Sequence, residues 1–451
     1  MEKFEAPKGT RDIHGKDFSL MSYIERQYER LLLLHGFSLL ELPMFENAEL
    51  FNRGVGSGSD IVNKEMYQFK DKGGRDIALR PEFTAGIVRA LISNKLYTQA
   101  QPIKIGYFGP AFRYERPQAG RFRQFNQLGV EVFNQDTFFD TFEVLLLVKH
   151  LLNELDLDQK VEIVLNSLGG IEEMEIYRGA LKKYFKTKHT KMCGDCAKRY
   201  ETNILRILDC KNPEDRKTIE KAPKLHEFLT PEHLSQLDSL AGALKELGYS
   251  VRIDPYLVRG LDYYTGIVFE IRSKENDLAI GGGGQYANLV KELGGPDLKG
   301  VGMSIGLERL TTVFEKSLME SGFDIEAKVP QNFAILPLVD DMNIKLYTYN
   351  LLAHLREINY LSYVDVGSGG IGKKLGRAEK NNVQIAIIFG EDEINKQKVT
   401  VKNLKTGEQT EIPIDDNLVE SLFNLHMASF NEEYQNNDEG IEEKNDEKKP
   451  V

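Results

Sequence analysis

A run of charged, amide and aromatic residues between positions 112 and 131 has the composition of an anion-binding site. Alternate residues of a β-strand share one face, so Arg113 and Glu115 on one strand can lie beside Gln127 and Glu131 on the next. The intervening loop holds Arg121 and further arginines, and the planar guanidinium group binds phosphate or carboxylate through paired hydrogen bonds. The run predicts an anion-binding strand–loop–strand, and a solvated basic hairpin is the alternative.

Two later runs could complete such a site. Residues 257–266 read LVRGLDYYTG, in which Arg259 stands near the paired Tyr263 and Tyr264. Tyrosines offer both a ring face and a hydroxyl, which suits a polar pocket, although ordinary core packing explains this run equally well when it is taken alone. In residues 302–310, Arg309 lies just inside a predicted helix start, where its side chain could reach a phosphate.

The glycine run 281–284 lacks the strand–GxGxxG–helix context of a dinucleotide fingerprint, and GxxxxGK[ST] is absent from the sequence. Both observations disfavour a Rossmann or P-loop site.

Three cysteines are present, two of them in the Cys193-x-x-Cys196 pattern and the third at Cys210. His189 or His226 could complete a zinc site of four ligands. The spacing to Cys210 is irregular and a second CxxC is absent, so we predict reduced thiols and no metal.

The positioning elements follow from hydrophobic periodicity. Helical patterns cover 17–32 and 141–155 and begin again near 306, and strand patterns cover 76–79, 103–112, 127–133, 161–165, 251–256 and 267–272. A lysine-rich helical stretch at about 170–248 reads as an insertion. We therefore predict an α+β domain over 1–325, built on a mainly antiparallel sheet with a helical insertion.

The C-terminal part has a different pattern. Strands and helices alternate over 331–428, which predicts a separate α/β domain. Residues 429–451 have few apolar side chains and are predicted to be a disordered acidic tail.

Composition excludes several classes of protein. The net charge is −11, of which the tail carries −5, so a general DNA-coating role is disfavoured. No stretch is long and apolar enough to span a bilayer, and the N-terminus lacks the apolar segment of a signal peptide. Three cysteines suit a reducing compartment, so we expect a cytoplasmic protein without membrane attachment.

Taken in order, these motifs resemble the histidyl-tRNA synthetase family of class II aminoacyl-tRNA synthetases, from Lys8 to about residue 428. The run 36–46 is similar to class II motif 1, which implies a homodimer, 112–133 to motif 2 and 306–309 to motif 3. Residues 259–266 resemble the histidine-specific signature. Residues 80–84 resemble a family substrate loop with Phe83 where glycine is common, and Gln285 and Ala287 replace the arginine and the acid of the family's GGRYD stretch.

The resemblance implies two-step chemistry, in which ATP and L-histidine form an adenylate and the histidyl group then passes to tRNA(His). Arg113 and Arg259 would be catalytic by holding the α-phosphate and the attacking carboxylate, Arg309 would hold the far phosphates, and Phe125 would stack on adenine. Glu115 and Arg121 would complete the ATP site. The implied histidine site comprises Glu82, Phe83, Thr84, Arg113, Gln127, Glu131, Arg259, Tyr263, Tyr264 and Tyr286. The resemblance implies ATP as a substrate together with Mg²⁺, and it implies no permanent cofactor.

The resemblance also implies an anticodon-binding role for 331–428, where Lys373, Lys374, Arg377 and Lys380 could contact phosphates. A solvated lysine face is the alternative. Two rival functions remain at this point: a non-catalytic regulatory subunit of an ATP phosphoribosyltransferase, and a plain RNA-binding module. A regulatory subunit would lack the C-terminal domain and would not keep the signature residues around Arg259. A plain RNA-binding module would leave the pocket residues without a purpose.

Overall fold

The computed structural model describes residues 4–56, 59, 61–116, 120–322 and 331–428. The chain forms two compact units, Met1–Ile325 and Glu326–Val451. The strands of the first unit are β1 (Ser38–Leu39), β2 (Phe45–Asn47), β3 (Gln68–Lys70), β4 (Asp76–Leu79), β5 (Ile103–Phe112), β6 (Gln124–Asn134), β7 (Val161–Ser167), β8 (Val251–Ile253), β9 (Ile267–Ser273), β10 (Ala279–Tyr286) and β11 (Lys299–Gly306). Its helices are α1 (Gly15–Leu34), α2 (Ala48–Gly54), α3 (Thr84–Ser93), α4 (Phe138–Glu154), α5 (Ile171–Phe185), α6 (Gly194–Thr202), α7 (Pro213–Ile219), α8 (Pro231–Glu246), α9 (Leu289–Glu292) and α10 (Leu307–Glu320).

An eight-stranded sheet in the order β1-β5-β6-β11-β10-β9-β7-β8 organises this unit. Its five central pairs, from β5/β6 to β9/β7, are antiparallel, and the outer pairs β1/β5 and β7/β8 are parallel. The predicted α+β fold on a mainly antiparallel sheet is confirmed. Strands β2, β4 and β3 form a separate small sheet.

Helices α1, α4, α8 and α10 cover one face of the large sheet. The buried positions of α1 recur at three- to four-residue steps and are Leu20, Met21, Ile24, Tyr28, Leu31 and Leu32. This spacing puts them on one stripe of the helix, which packs on the sheet core. Full burial of each leucine or isoleucine contributes roughly 1.5–3 kcal/mol.

Two central strands, β10 and β11, and helix α3 were not predicted. The glycines of β10 and β11 give no alternation of apolar and polar side chains, so the period-two signal of a strand is missing. Both strands nevertheless pair along both edges within the sheet. Strand β8 is shorter than predicted because the Asp254 carboxylate accepts a hydrogen bond from the Tyr256 N–H (2.9 Å) and turns the chain.

The segment between β7 and β8 is helical, as the lysine-rich pattern predicted. Helices α5, α6 and α7 enclose a second core, which includes Tyr177, Phe185, Cys196 and Ile207 and continues onto the large sheet through Val164 and Val268. The last helix, α8, packs instead on the core of the large sheet through Leu237, Leu240 and Leu244.

The second unit has a five-stranded sheet in the order β13-β12-β14-β15-β16. Its elements are β12 (Gln331–Pro337), α11 (Met342–Glu357), β13 (Ser362–Val364), α12 (Ile371–Lys380), β14 (Val383–Phe389), α13 (Glu391–Asn395), β15 (Lys398–Asn403) and β16 (Gln409–Pro413), and residues 418–428 are helical. Strands β13, β12 and β14 are parallel, and β15 and β16 add an antiparallel hairpin. The predicted acidic tail lies outside the described residues. Among the described helices, none combines the length and hydropathy needed to cross a bilayer.

Gln285 joins strand β10 to helix α4. Its side-chain amide donates hydrogen bonds to the Thr137 carbonyl (3.1 Å) and to Thr141 Oγ1 (2.9 Å). Its side-chain oxygen accepts a hydrogen bond from the Ile267 N–H (3.0 Å). The neighbouring Tyr286 packs in the core on the other side of the sheet, so Gln285 faces α4.

We predict that Gln285→Met destabilises the N-terminal unit by about 1–3 kcal/mol, because the Ile267 N–H loses its hydrogen-bond acceptor. Urea unfolding followed by circular dichroism measures this change, and Gln99→Met, at an exposed glutamine, is the matched control. Equal unfolding free energies for the two variants would contradict the role of Gln285.

Candidate functional site

A cleft of about 680 Å³ lies in the N-terminal unit, over the face formed by β5, β6 and β9–β11. The residues singled out from the sequence that line it are Glu82, Phe83, Thr84, Arg113, Glu115, Arg121, Phe125, Gln127, Arg259, Tyr263, Tyr264 and Arg309. Glu131 and Tyr286 are each only 1% exposed and lie behind Thr84 and Tyr263. The structure therefore gathers the three sequence runs and the 80–84 loop at one place.

A buried carboxylate, that of Glu131, lies at the floor of this cleft. It accepts hydrogen bonds from Thr84 Oγ1 (2.7 Å) and from the Tyr286 hydroxyl (2.7 Å). Burial raises the pKa of Glu131 from 4.5 to about 8, although hydrogen bonds from Thr84, Tyr286 and Tyr107 oppose that rise. The carboxyl group therefore keeps its proton to a higher pH than an exposed glutamate does.

Two glycines leave room for this arrangement. A Cβ at Gly302, which pairs with Glu131 across β11 and β6, would stand 2.0 Å from Glu131 Oε2. A Cβ at Gly129 would stand 2.3 Å from the Tyr107 hydroxyl. The sequence analysis missed Tyr107, because a tyrosine within an apolar strand gives no signal of a polar contact.

Glu82 caps helix α3. Its two carboxylate oxygens accept hydrogen bonds from the backbone N–H groups of Thr84 (2.6 Å) and Ala85 (3.0 Å). Burial raises its pKa, and these backbone hydrogen bonds together with Arg113 act in the opposite direction. The cap fixes Thr84 where its hydroxyl reaches Glu131.

Phe83 fills the wall beside this cap. Its ring stacks on Tyr107 with centroids 4.5 Å apart, and the Arg80 guanidinium lies 4.1 Å from the ring centre. Arg80 itself donates to the carbonyls of Leu42 (2.8 Å) and Pro110 (2.7 Å). The 80–84 loop is thereby tied to the run 36–46.

The guanidinium of Arg259 is oriented by Glu270 on β9. Arg259 Nη1 donates to Glu270 Oε1 at 2.6 Å, and Arg272 Nη2 lies 2.6 Å from Glu270 Oε2. Burial raises the pKa of Glu270, yet the two arginines hold it below its ordinary value. A Cβ on Gly282, which pairs with Glu270, would stand 2.7 Å from Arg259 Nη1, so this glycine admits the arginine. The sequence analysis missed Glu270.

Arg113 lies at the end of β5, on the same side of the cleft as Phe125. Its Nε donates to the Pro81 carbonyl (2.8 Å), and its guanidinium carbon is 5.3 Å from the centre of the Phe125 ring. Nearby, Arg121 Nη1 is 3.3 Å from Glu115 Oε2. A flat aromatic ring beside two arginines suits a planar base that carries phosphates.

Arg309, at the start of α10, donates to the Ala279 carbonyl (2.7 Å) and, more weakly, to the Gly120 carbonyl (3.3 Å). Burial and the nearby Arg121 lower its pKa. Its neighbour Glu308 accepts hydrogen bonds from the Asn126 backbone N–H (2.9 Å) and side-chain amide (3.1 Å). Glu308 therefore joins the start of α10 to β6 and sets the position of Arg309.

Several polar atoms in the cleft wall are buried without a hydrogen-bond partner among the described residues. Gln127 Oε1 and Ser304 Oγ are two of them. An unpaired buried polar atom costs about 1–3 kcal/mol, which a bound ligand can recover by supplying the missing partner. Ser304, which was not singled out from the sequence, thus joins Gln127 as a candidate ligand contact.

The C-terminal unit differs from expectation at α12. Arg377 forms a two-pronged ion pair with Asp365 (2.7 and 3.0 Å), and the buried Lys374 donates to the Asp365 carbonyl oxygen (2.6 Å). These two cations hold the unit together and do not face solvent as a set. Of the four cations named from the sequence, Lys373 and Lys380 are the exposed ones.

Comparison with known proteins identifies relatives across both units. A family model described as histidyl-tRNA synthetase matches residues 9–310, and one described as an anticodon binding domain matches residues 332–422. A histidine–tRNA ligase of Halothermothrix orenii is 40% identical over 423 residues, which covers 93% of this chain and 99% of the relative. One from Aquifex aeolicus is 39% identical over 412 residues, covering 91% and 99%.

Solved structures of histidyl-tRNA synthetases are also similar to this chain. The crystal structure of the apo histidyl-tRNA synthetase of S. aureus has a TM-score of 0.75 and 33% identity, covering 93% of this chain and 100% of that one. A histidyl-tRNA synthetase from Nostoc sp. PCC 7120 has a TM-score of 0.64 at 20% identity, which shows similarity of fold alone.

We predict that Glu131→Gln removes a pH dependence of stability. The unfolded chain loses the Glu131 proton near 4.5 and the folded chain near 8, so wild-type stability falls as pH rises between these values. The Gln variant lacks this titration, and its unfolding free energy relative to wild type should rise by up to about 1.4 kcal/mol per pH unit.

Urea unfolding of both proteins at about pH 6 and about pH 8 tests this prediction, because the difference between them cancels the other titrating groups. Parallel stability profiles for the two proteins would show that Glu131 titrates normally.

Proposed function

Because this chain belongs to the histidyl-tRNA synthetase family and is a histidine–tRNA ligase, we propose that its cleft binds ATP and histidine through the residues gathered there. One observation carries the proposal: arginines from three separate motifs, Arg113, Arg259 and Arg309, line the same cleft above a buried acceptor, Glu131. The family resemblance seen in the sequence is confirmed.

The arginines act on the first step, in which the histidine carboxylate attacks the α-phosphorus of ATP. Both reactants are anions, so the main tasks are alignment and neutralisation of charge. Arg113 and Arg259 hold the α-phosphate and the carboxylate. Glu270 and the Pro81 carbonyl keep these guanidinium groups oriented before the substrates arrive, so little reorganisation accompanies the reaction.

The adenine side of ATP occupies the end of the cleft near Phe125. Phe125 stacks on one face of the base, and Arg309 flanks the other and reaches the far phosphates. Glu115 and Arg121 line the same end of the cleft. This placement accounts for the concentration of arginine where a polyphosphate must lie.

Histidine is recognised by groups that accept its N–H protons. Glu131, held by Thr84 and Tyr286, accepts from the imidazole, with Tyr263, Tyr264 and Phe83 as walls. Gln127 Oε1, which is buried without a partner among the described residues, and Glu82 accept from the α-ammonium group. An apolar amino acid of similar size would leave Gln127 Oε1 without a partner and would offer no N–H group to Glu131 or Glu82, so it is rejected.

Magnesium fits this site as a companion of ATP. Mg²⁺ commonly uses one or two carboxylates together with substrate phosphates and retains several waters. Glu115 Oε2 is buried beside Arg121 Nη1 at 3.3 Å, and if this ion pair opened, Glu115 could supply one oxygen ligand. When bound, Mg²⁺ offsets part of the negative charge of the phosphates.

We also propose a homodimer through the run 36–46. The residues of this region with exposed apolar side chains are Leu39, Met44, Phe45 and, on β3 at the other edge of the small sheet, Phe69. An apolar face of this kind is typical of an interface. Arg80 binds the carbonyl groups of this run, so the interface would be coupled to the histidine pocket.

The C-terminal unit corresponds to the anticodon binding model, and we propose that it reads the anticodon region of tRNA(His) in the cytoplasm. The match to an anticodon binding domain also disfavours the rival function as a regulatory subunit, because such a subunit is expected to lack this domain. The pocket and the intact run at Arg259 likewise have no use in a plain RNA-binding module.

We predict that Arg259→Ala lowers histidine-dependent ATP–pyrophosphate exchange by about 100-fold or more, since a charged group that stabilises the transition state is lost. The fold should survive because Glu270 keeps its second partner, Arg272. Arg252→Ala, at a solvent-facing arginine that pairs with Glu162, is the matched control. Exchange by Arg259→Ala at the level of this control would refute the assigned role.

We predict that a chain ending at Ile325 keeps histidine-dependent exchange but loses tRNA charging at least about tenfold, because the lining residues of the cleft precede that point and anticodon contacts are removed. A chain ending at residue 428, which lacks only the acidic tail, is the control and should retain both activities within a few-fold. Normal charging by the shorter chain would exclude anticodon reading by the C-terminal unit.

A further inference from the structure

Three thiols and a carboxylate converge in the helical segment between β7 and β8. The ligand atoms of Cys193, Cys196, Cys210 and Asp215 all lie within 4.8 Å of one another. Cys196, Cys210 and Asp215 are buried, and Cys193 is half-buried. The group lies outside the residues that line the catalytic cleft.

We infer that these four residues form a structural zinc site. Zinc binds thiolates at about 2.3 Å in a tetrahedron, which places two coordinating sulfurs about 3.8 Å apart. The Cys193 and Cys210 sulfurs are 3.7 Å apart. The distance from the Cys210 sulfur to Asp215 Oδ2 is 3.3 Å, close to the roughly 3.5 Å that a tetrahedral sulfur–oxygen edge requires.

The backbone around the group is arranged for thiolate ligands. Cys193 is the N-cap residue of α6 and Cys196 lies in its first turn, where the helix dipole favours negative charge. The Asn212 backbone N–H donates to the Cys210 sulfur at 3.4 Å. The Asn212 side chain caps α7 and so fixes Asp215 in that helix's first turn.

This arrangement argues against our expectation of plain reduced thiols. The expected fourth ligands are engaged elsewhere: His189 stacks on Tyr200 with centroids 3.9 Å apart, and His226 contacts Asn166. The fourth ligand is instead Asp215, which follows Cys210 after a turn of the chain. A carboxylate at this position gives no recognisable sequence pattern, and for that reason the sequence alone favoured reduced thiols.

The site is placed to hold the segment 203–211 against the histidine signature. Asn203 Nδ2 donates to Asp262 Oδ1 at 2.7 Å, and Arg206 packs beside Gly260. Arg206 and Lys211 also line the cleft. Zinc would therefore order one wall of the cleft, and this second part of the inference rests on the function proposed above.

Metal analysis of the full chain, purified without chelators under reducing conditions, tests the site directly. We expect one zinc per chain, and Co²⁺ added to metal-free protein should give the absorption bands of thiolate-bound cobalt. Asp215→Asn and Cys210→Ser should lose both signals, whereas Asp195→Asn, at an exposed acid between the two nearest cysteines, should keep them.

Wild-type protein that takes up neither zinc nor cobalt would overturn the inference, as would a Cys193–Cys210 disulfide found by mass spectrometry of protein purified under those reducing conditions. A variant that fails to fold leaves this test intact, because the wild-type metal content decides it. Removal of zinc should also raise the KM for histidine several-fold. An unchanged KM for histidine in zinc-depleted protein would overturn only the proposed link between the zinc site and the cleft. The zinc content itself tests the metal site whether or not the function proposed above is correct.

Discussion

The burial of the Glu131 carboxylate within the eight-stranded sheet constrains much of its surroundings. A buried carboxyl group requires hydrogen-bond donors, and here they come from α3, β5 and β10 through Thr84, Tyr107 and Tyr286. Gly129 and Gly302 carry no side chain because the volume beside them is taken by Tyr107 and Glu131. These two glycines weaken the strand pattern in the sequence, and they also make room for the pocket.

A second layer of carboxylates orients the cations of the cleft. Glu270 holds Arg259, Glu308 ties the helix that bears Arg309 to β6, and Glu82 caps α3. Each acid fixes the geometry of a functional group before a ligand binds. In a site for two anionic reactants, such prior orientation reduces the reorganisation needed during the reaction.

Much of the fold could be predicted where one face of an element is buried, as the bounds of β4 and β5 show. Strands β10 and β11 could not, because glycines selected for close contacts erase the alternation that identifies a strand. The same limit applies to the site. Arginine runs and paired tyrosines are visible in sequence, whereas Glu270, Tyr107 and Asp215 contact their partners at spacings that match no recognised motif, and only tertiary structure reveals those pairs.

In the proposed function, Glu131 accepts a hydrogen bond from an imidazole N–H of the substrate. The most direct measurement compares ATP–pyrophosphate exchange by the wild-type protein with histidine and with the two methylhistidines, each of which carries a methyl group on one ring nitrogen. Methylation removes the N–H donor and places a methyl group against the buried Glu131 carboxyl group, which is then left with its protein partners alone. The account predicts that at least one methylated isomer supports no exchange while histidine does. Equal exchange with histidine and both isomers would contradict it.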